Sequence, residues 1–217
     1  MESLRPASRL RLTLEMGAVF VAAPVLMAFI ATPGQLFPSI LPLLALGMVL
    51  LHRTPGFRWS SVLHGWRGTR VPLITAAGLA TFIAGWIAIG WLQPWATFWL
   101  WREERTVFWG LLVAYPLLSA LPQELIYRIL FFRRYAAILP KGSRVIALNA
   151  TLFALAHLMF WNWVVLFVSF LGGLLFAWSY RQSGLVEAWA LHSLTGFMLF
   201  AVGVGWYFTP EASARPF

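Results

Sequence analysis

Seven apolar runs alternate with short polar segments along the chain, at 12–30, 36–51, 71–92, about 107–132, 145–160, 163–180 and 186–208. A helix that crosses a bilayer needs ~20 mostly apolar residues. The pattern therefore predicts about seven transmembrane helices. The second run is short and carries Pro38 and Pro42, and the fourth carries Pro116 and Pro122. A proline inside a helix removes a hydrogen bond and crowds the preceding turn, so a break or kink is expected at Pro122. The first run follows a basic head of Arg5, Arg9 and Arg11. No small-residue cleavage site follows it, so it reads as a first span and not as a signal peptide. No internal repeat, low-complexity tract or linker interrupts the series. The fold class expected is all-α, a polytopic integral membrane helical bundle forming a single membrane domain over 1–217.

Composition agrees with the pattern. Hydrophobic residues make up 60% of the 217 and charged residues 11%, with a mean hydropathy of +0.77. Soluble domains carry about 25% charge, and 11% cannot form a polar shell around a globule of this size. The composition thus excludes an ordinary soluble enzyme and a disordered chain. There is no cysteine, which excludes disulfides, thiolate metal sites and cysteine nucleophiles. All seven acids are glutamates, so aspartate dyads are excluded too.

The net charge of +9 would suggest nucleic acid in a soluble protein. Here the arginines lie in short segments beside apolar spans, as the positive-inside rule describes, and no nucleic-acid partner is expected. Twelve Lys and Arg fall on the side of the N-terminus and three on the other, Arg102, Arg105 and Arg215. The N-terminus is therefore expected in the cytoplasm and the C-terminus outside. Trp91, Trp95, Trp99, Trp101, Trp109, Trp161, Trp163 and Trp206 all fall near the expected outer boundary. That clustering matches an interfacial aromatic belt. The ratio of 15 Arg to one Lys hints at a GC-rich bacterial genome and so at a bacterial inner membrane.

Setting the loop charges aside, the ionisable residues at membrane depth are Glu124, Arg128, His157 and His192, with Glu187 near a span end. Burying such groups costs several kcal/mol without partners, so they point to function. At ~1.5 Å per residue, Glu124 lies roughly 14 Å, His157 roughly 20 Å and His192 roughly 11 Å from the inner boundary. Three helices thus place polar groups in one slab. Glu124 and Arg128 are four residues apart and share a helix face, where they can pair. Asn149, Phe153 and His157 share another face, with Phe153 beside the imidazole. A carboxylate and two histidines in a wet intramembrane cavity suggest water activation by a general base. A metal site with an open position is the second chemistry, and a proton or ion pathway is the third. The H-E-x-x-H signature is absent.

These residues also carry a resemblance. Pro122-Gln123-Glu124-Leu125-Ile126-Tyr127-Arg128 resembles the E-E-x-x-x-R motif of the CPBP family of intramembrane proteases, the CAAX protease and bacteriocin-processing family, also called Abi. Phe153-Ala154-Leu155-Ala156-His157 matches its F-x-x-x-H motif, and His192-Ser193-Leu194-Thr195-Gly196 resembles its H-x-x-x-N motif. The resemblance covers roughly 115–205. It implies an all-helical membrane fold around a polar cavity and a glutamate-dependent peptidase, although earlier readings called such proteins metalloproteases. Eukaryotic relatives remove the last three residues of prenylated CAAX proteins, and bacterial members process other peptides or act in bacteriocin self-immunity. By position, Glu124 is the second glutamate of the pair, His157 shares water activation and His192 stabilises the oxyanion.

Two departures stand out. Gln123 replaces the first glutamate, usually assigned as the base, and Gly196 replaces the asparagine, an expected oxyanion donor. Three explanations fit Gln123: the base role resides in Glu124, the chain binds without catalysis, or an inactivating Glu-to-Gln change has been introduced. Retention of Arg128, His157 and His192 favours the first.

The expectation is an intramembrane endopeptidase that hydrolyses a peptide bond through a glutamate-activated water assisted by two histidines. Its site residues are Glu124, His157, His192, Arg128 and Gln123. No cofactor is expected, with a divalent metal at Glu124, His157 and His192 as the alternative. The partners expected are membrane lipid and a peptide or protein substrate, membrane-anchored substrates included. The alternative function is a non-catalytic relative, a membrane peptide-binding or immunity protein.

Overall fold

The computed structural model describes residues 8–30, 36–62 and 68–212. Arg5, Arg67, Arg215 and the C-terminal end, all used in the topology reading, lie outside the described residues. The helices are α1 (Arg9–Ile30), α2 (Leu36–His52), α3 (Val71–Leu92), a short α4 (Trp99–Glu103), α5 (Arg105–Arg134), α6 (Arg144–Leu155), α7 (Trp163–Ser183) and α8 (Leu185–Val202). Five of these are long and apolar enough to cross a membrane, and α2 and the α6 region are shorter apolar helices. Each expected apolar run thus coincides with a helix, and no strand occurs among the described residues.

The burial pattern is that of a protein whose outer solvent is lipid. Leu79, Ile83, Ile87 and Trp91 on α3, and Phe167 and Leu171 on α7, are exposed. Glu124, Arg128, Asn149 and Glu187 are fully buried. A water-soluble fold would invert both sets. The chain is an integral membrane protein.

Helix α8 packs between α3 and α7, and α7 lies against α6. The inner half of α5 fills the centre. Phe20 of α1 meets the ring edges of Tyr127, Phe131 and Tyr135 at centroid separations of 5.2, 5.5 and 5.8 Å. Such edge-to-face pairs add to simple area burial.

Of the break or kink expected at Pro122, a break does not occur. Helix α5 continues through it, α-helical over Leu121–Glu124, and widens to π-helical turns on either side, at Tyr115–Ala120 and Leu125–Leu130. Wide turns accommodate a lost i→i−4 bond without ending the helix. A carbonyl in this region takes a side-chain donor instead, since Trp189 Nε1 donates to the Pro116 carbonyl at 2.8 Å.

The last helix is shorter than its apolar run. It stops at Val202, and 3-10 turns carry the chain over Val204–Phe208. Gly203 adopts φ +112°, and a Cβ there would collide with the Ala96 carbonyl, so only glycine permits this stop. The Phe98 amide donates to the Val202 carbonyl at 3.1 Å in the same corner. Trp206 meets Trp95 at 4.7 Å and Trp99 at 5.8 Å, so part of the tryptophan belt is one packed cluster.

Two ion pairs tie the opposite end of the bundle. Arg134 and Tyr135 both bond the Glu15 carboxylate of α1. Burial, reinforced by the Glu15 contact, pushes the Tyr135 hydroxyl above its ordinary pKa. Arg70, just ahead of α3, grips Glu187 of α8 with its backbone amide at 2.7 Å, Nε at 3.1 Å and Nη2 at 2.6 Å. Hydrogen bonding to Glu187 holds the Arg70 guanidinium charged, above its ordinary value. Ser179 Oγ of α7 donates to the same carboxylate at 2.7 Å.

Candidate active site

Three of the five expected site residues converge directly. Helix α5 delivers Glu124 and Arg128, and α8 delivers His192. Nδ1 of His192 stands 2.9 Å from Oε1 of Glu124. The Arg128 Nε stands 3.2 Å from Oε2, an ion pair whose N–H is not aimed at the oxygen. The guanidinium is held instead by Asn149, which accepts from Nη1 at 2.6 Å and itself donates to the Tyr127 carbonyl at 2.7 Å. Its plane lies over Phe153 at 4.9 Å and Phe176 at 5.8 Å, a cation–π arrangement. The buried guanidinium thus sets its positive charge beside the buried carboxylate.

The carboxylate also fixes the tautomer of His192. An ionised carboxylate only accepts, so Nδ1 carries the proton and Nε2 presents a lone pair. The ring is clamped by Phe176, stacked at 4.6 Å and 16°, with Phe153 and Tyr115 edge-on at 5.5 and 5.9 Å.

His157 reaches the site differently. Helix α6 ends at Leu155, and His157 lies just past its end with φ −94° and ψ 5°. Its Nδ1 is 2.8 Å from the Phe153 carbonyl, which can only accept, so Nε2 is again the free lone pair. Phe153 packs beside this imidazole at 4.9 Å, as its spacing implied. Phe153 therefore separates and orients both histidines.

Gln123 points elsewhere. It is buried, and its amide nitrogen donates to Ser119 Oγ at 2.9 Å, while its carbonyl oxygen has no partner among the described residues. Adjacent helical residues diverge by about 100°, and the structure keeps that divergence between Gln123 and Glu124.

Both histidines face a cavity of about 430 Å³ between α3, α7 and α8. Its walls are mostly apolar, with Ala84, Ala88 and Leu92 of α3 opposite Phe167 and Leu171 of α7. Leu92, Phe167 and Leu171 are themselves exposed, so the cavity opens sideways toward lipid. Glu124, Arg128 and Gln123 stand behind this wall, with His192 between the carboxylate and the cavity. Among the described residues no three His or acidic side chains are grouped to hold a metal.

Sequence reasoning missed two participants and one contact. Phe176 and Tyr115 lie in apolar runs and carry no signal of their own. Asn149 was placed on the right face, but its bond to Arg128 was not foreseen.

The site of this membrane protein is thus a Glu–His pair behind an apolar, laterally open cavity. Residues 105–198, from the start of α5 into α8, match the family described as Rce1-like, type II CAAX prenyl endopeptidase Rce1-like. That stretch, which holds all three motifs, is similar to the CPBP-type, Rce1-like membrane proteins. The family supports a CAAX-protease-type membrane endopeptidase at the level of class. No curated protein and no solved structure matches the chain.

Proposed function

We propose that the protein is an intramembrane endopeptidase whose hydrolytic water is activated by the Glu124–His192 pair. The observation that carries this reading is the 2.9 Å bond from His192 Nδ1 to a fully buried carboxylate, which leaves Nε2 free at the cavity wall. Nε2 takes a proton from water as the water oxygen attacks the scissile carbonyl carbon. Glu124 then stabilises the imidazolium that forms, with Arg128 paired to its other oxygen. His157 offers a second acceptor to hold the water. No metal enters this scheme, because Glu124 is occupied by His192 and Arg128.

The sideways-opening apolar cavity supports a substrate that arrives from the bilayer, as a peptide segment joined to an apolar anchor. The family's prenylated substrates fit that description. The test is turnover by purified, detergent-solubilised protein on quenched peptides, with and without a C-terminal lipid. Cleavage that is lost in His192→Ala supports the reading. Binding without cleavage favours the peptide-binding or immunity role, to which the departures at Gln123 and Gly196 would then belong.

A further inference from the structure

The chemistry proposed above leaves one requirement unmet. When water adds to the carbonyl, the carbonyl oxygen becomes an oxyanion and needs a hydrogen-bond donor. Both imidazoles, in the tautomers their partners impose, present acceptors to the cavity and not donors. Gln123 is turned toward Ser119. Thr195, which lines the cavity next to Gly196, donates its hydroxyl to the Leu191 carbonyl at 2.7 Å. Gly196 has no side chain at all.

The space a side chain at 196 would fill is not empty. A Cβ on Gly196 would overlap the hydroxyl oxygen and adjoining ring carbons of Tyr115. Tyr115 belongs to the first wide turn of α5, lines the cavity, and sets its ring edge against His192 at 5.9 Å. The turn that carries it is pinned by Trp189 through the Pro116 carbonyl. A phenol from α5 thus occupies the place that a side chain four residues after His192 would take.

We propose that the Tyr115 hydroxyl is the oxyanion donor of this enzyme, supplied from α5 in place of a donor at position 196. The proposal rests on the peptidase reading above. In the addition step the water oxygen bonds to the carbonyl carbon, and His192 Nε2 accepts the water proton. The C=O π electrons move onto oxygen, and the Tyr115 O–H donates a hydrogen bond to it while keeping its own proton. Collapse re-forms the C=O and breaks the C–N bond. The leaving amine takes the proton back from His192, and Tyr115 ends as it began. Gly196 is then required, because any larger residue would displace the phenol.

The decisive comparison is wild type against Tyr115→Phe, assayed on a peptide the wild type cleaves. Loss of one donor from an oxyanion site costs about 10²–10³ in kcat. The expected result is a kcat loss of that order, with KM and melting temperature close to wild type. An unchanged kcat overturns the proposal and leaves the peptidase reading standing. A loss confined to KM or to the melting temperature overturns it too, and makes Tyr115 a packing residue. A wild type that cleaves no peptide overturns the peptidase reading and the Tyr115 role with it. A second comparison uses Tyr115→Ala alone and combined with Gly196→Asn. The double variant should regain at least about tenfold in kcat, as the amide enters the vacated space and restores a donor. No gain counts against the proposal. Gly196→Asn with Tyr115 intact should be inactive, and normal activity there would also overturn it.

Discussion

Oε1 of Glu124 and Nδ1 of His192 meet at 2.9 Å across 68 residues of sequence, joining the buried centre of α5 to the cavity wall on α8. The contact gives the carboxylate a different part from the one its motif suggests. Glu124 is fully buried and reaches the cavity only through the imidazole. A base that meets water through His192 gains a lone pair at a defined atom, and a carboxylate behind it steadies the positive charge that develops.

Replacing His157 with Ala tests the second imidazole. His157 lies past the end of α6, and the 3-10 turn it caps uses its backbone, which alanine keeps. Activity should fall by about 10²-fold or more, the range for loss of a positioned acid–base group. Expression and melting temperature should stay near wild type. A variant that cleaves normally would remove His157 from the site. One that fails to fold would make it a packing residue between Phe153 and Phe160.

Arg128 should matter for stability as well as activity. Arg128→Met leaves Glu124 with His192 as its remaining partner, and breaking a buried ion pair this way costs about 3–5 kcal/mol. The double variant Glu124→Gln with Arg128→Met removes both charges and should recover much of that loss. Denaturant unfolding in detergent measures both. Equal stability of the single and double variants would mean that the carboxylate left behind in Arg128→Met carries no penalty.

Much of this arrangement was legible along the chain. The seven apolar runs mark the helices because lipid selects for length and apolarity more strictly than water does. The i, i+4 spacing placed Glu124 beside Arg128, and the 149–153–157 spacing placed Phe153 beside His157. The Glu15–Arg134 and Arg70–Glu187 pairs were hidden, because their partners lie 119 and 117 residues apart and the arginines read as loop charges. Tyr115 was hidden for another reason. A tyrosine in an apolar run is unremarkable until Gly196 is seen to leave it room.

Metal dependence offers a separate check. Glu124 is taken up by Arg128 and His192, and the described residues hold no grouped set of acidic and histidine ligands. Activity should therefore survive EDTA and 1,10-phenanthroline. Loss on chelation with recovery on adding zinc would reassign Glu124, His157 and His192 as metal ligands.

The arginine distribution predicts the orientation of the bundle. The chain has no cysteine, so a single introduced one reports its own side. Cysteines at the exposed positions Ser60 and Glu104 lie on opposite sides of α3 along the chain. With the N-terminus inside, Ser60→Cys should be shielded from an impermeant maleimide in intact cells, and Glu104→Cys should label. Labelling of both from outside would break the topology.

The Gln123–Glu124 pair separates the two functional readings most sharply. Glu124→Gln keeps the shape but removes the carboxylate that holds His192 as a proton acceptor. An amide can also flip to donate toward Nδ1, which would leave the imidazole in the opposite tautomer with no lone pair at Nε2. Removing the carboxylate should cost about 10²–10⁴ in kcat. Gln123→Glu should give no gain. The Gln123 carbonyl oxygen has no hydrogen-bond partner among the described residues, and its amide nitrogen donates to Ser119. A second buried carboxylate next to Glu124 would keep a proton, since two adjacent like charges cannot both ionise cheaply. The protein would then carry a neutral acid where it now carries a neutral amide. The non-catalytic reading predicts the reverse, with an inert wild type and activity gained in Gln123→Glu. Both variants assayed on one peptide set decide the matter, and a large gain from Gln123→Glu would move the base from the Glu124–His192 pair to position 123.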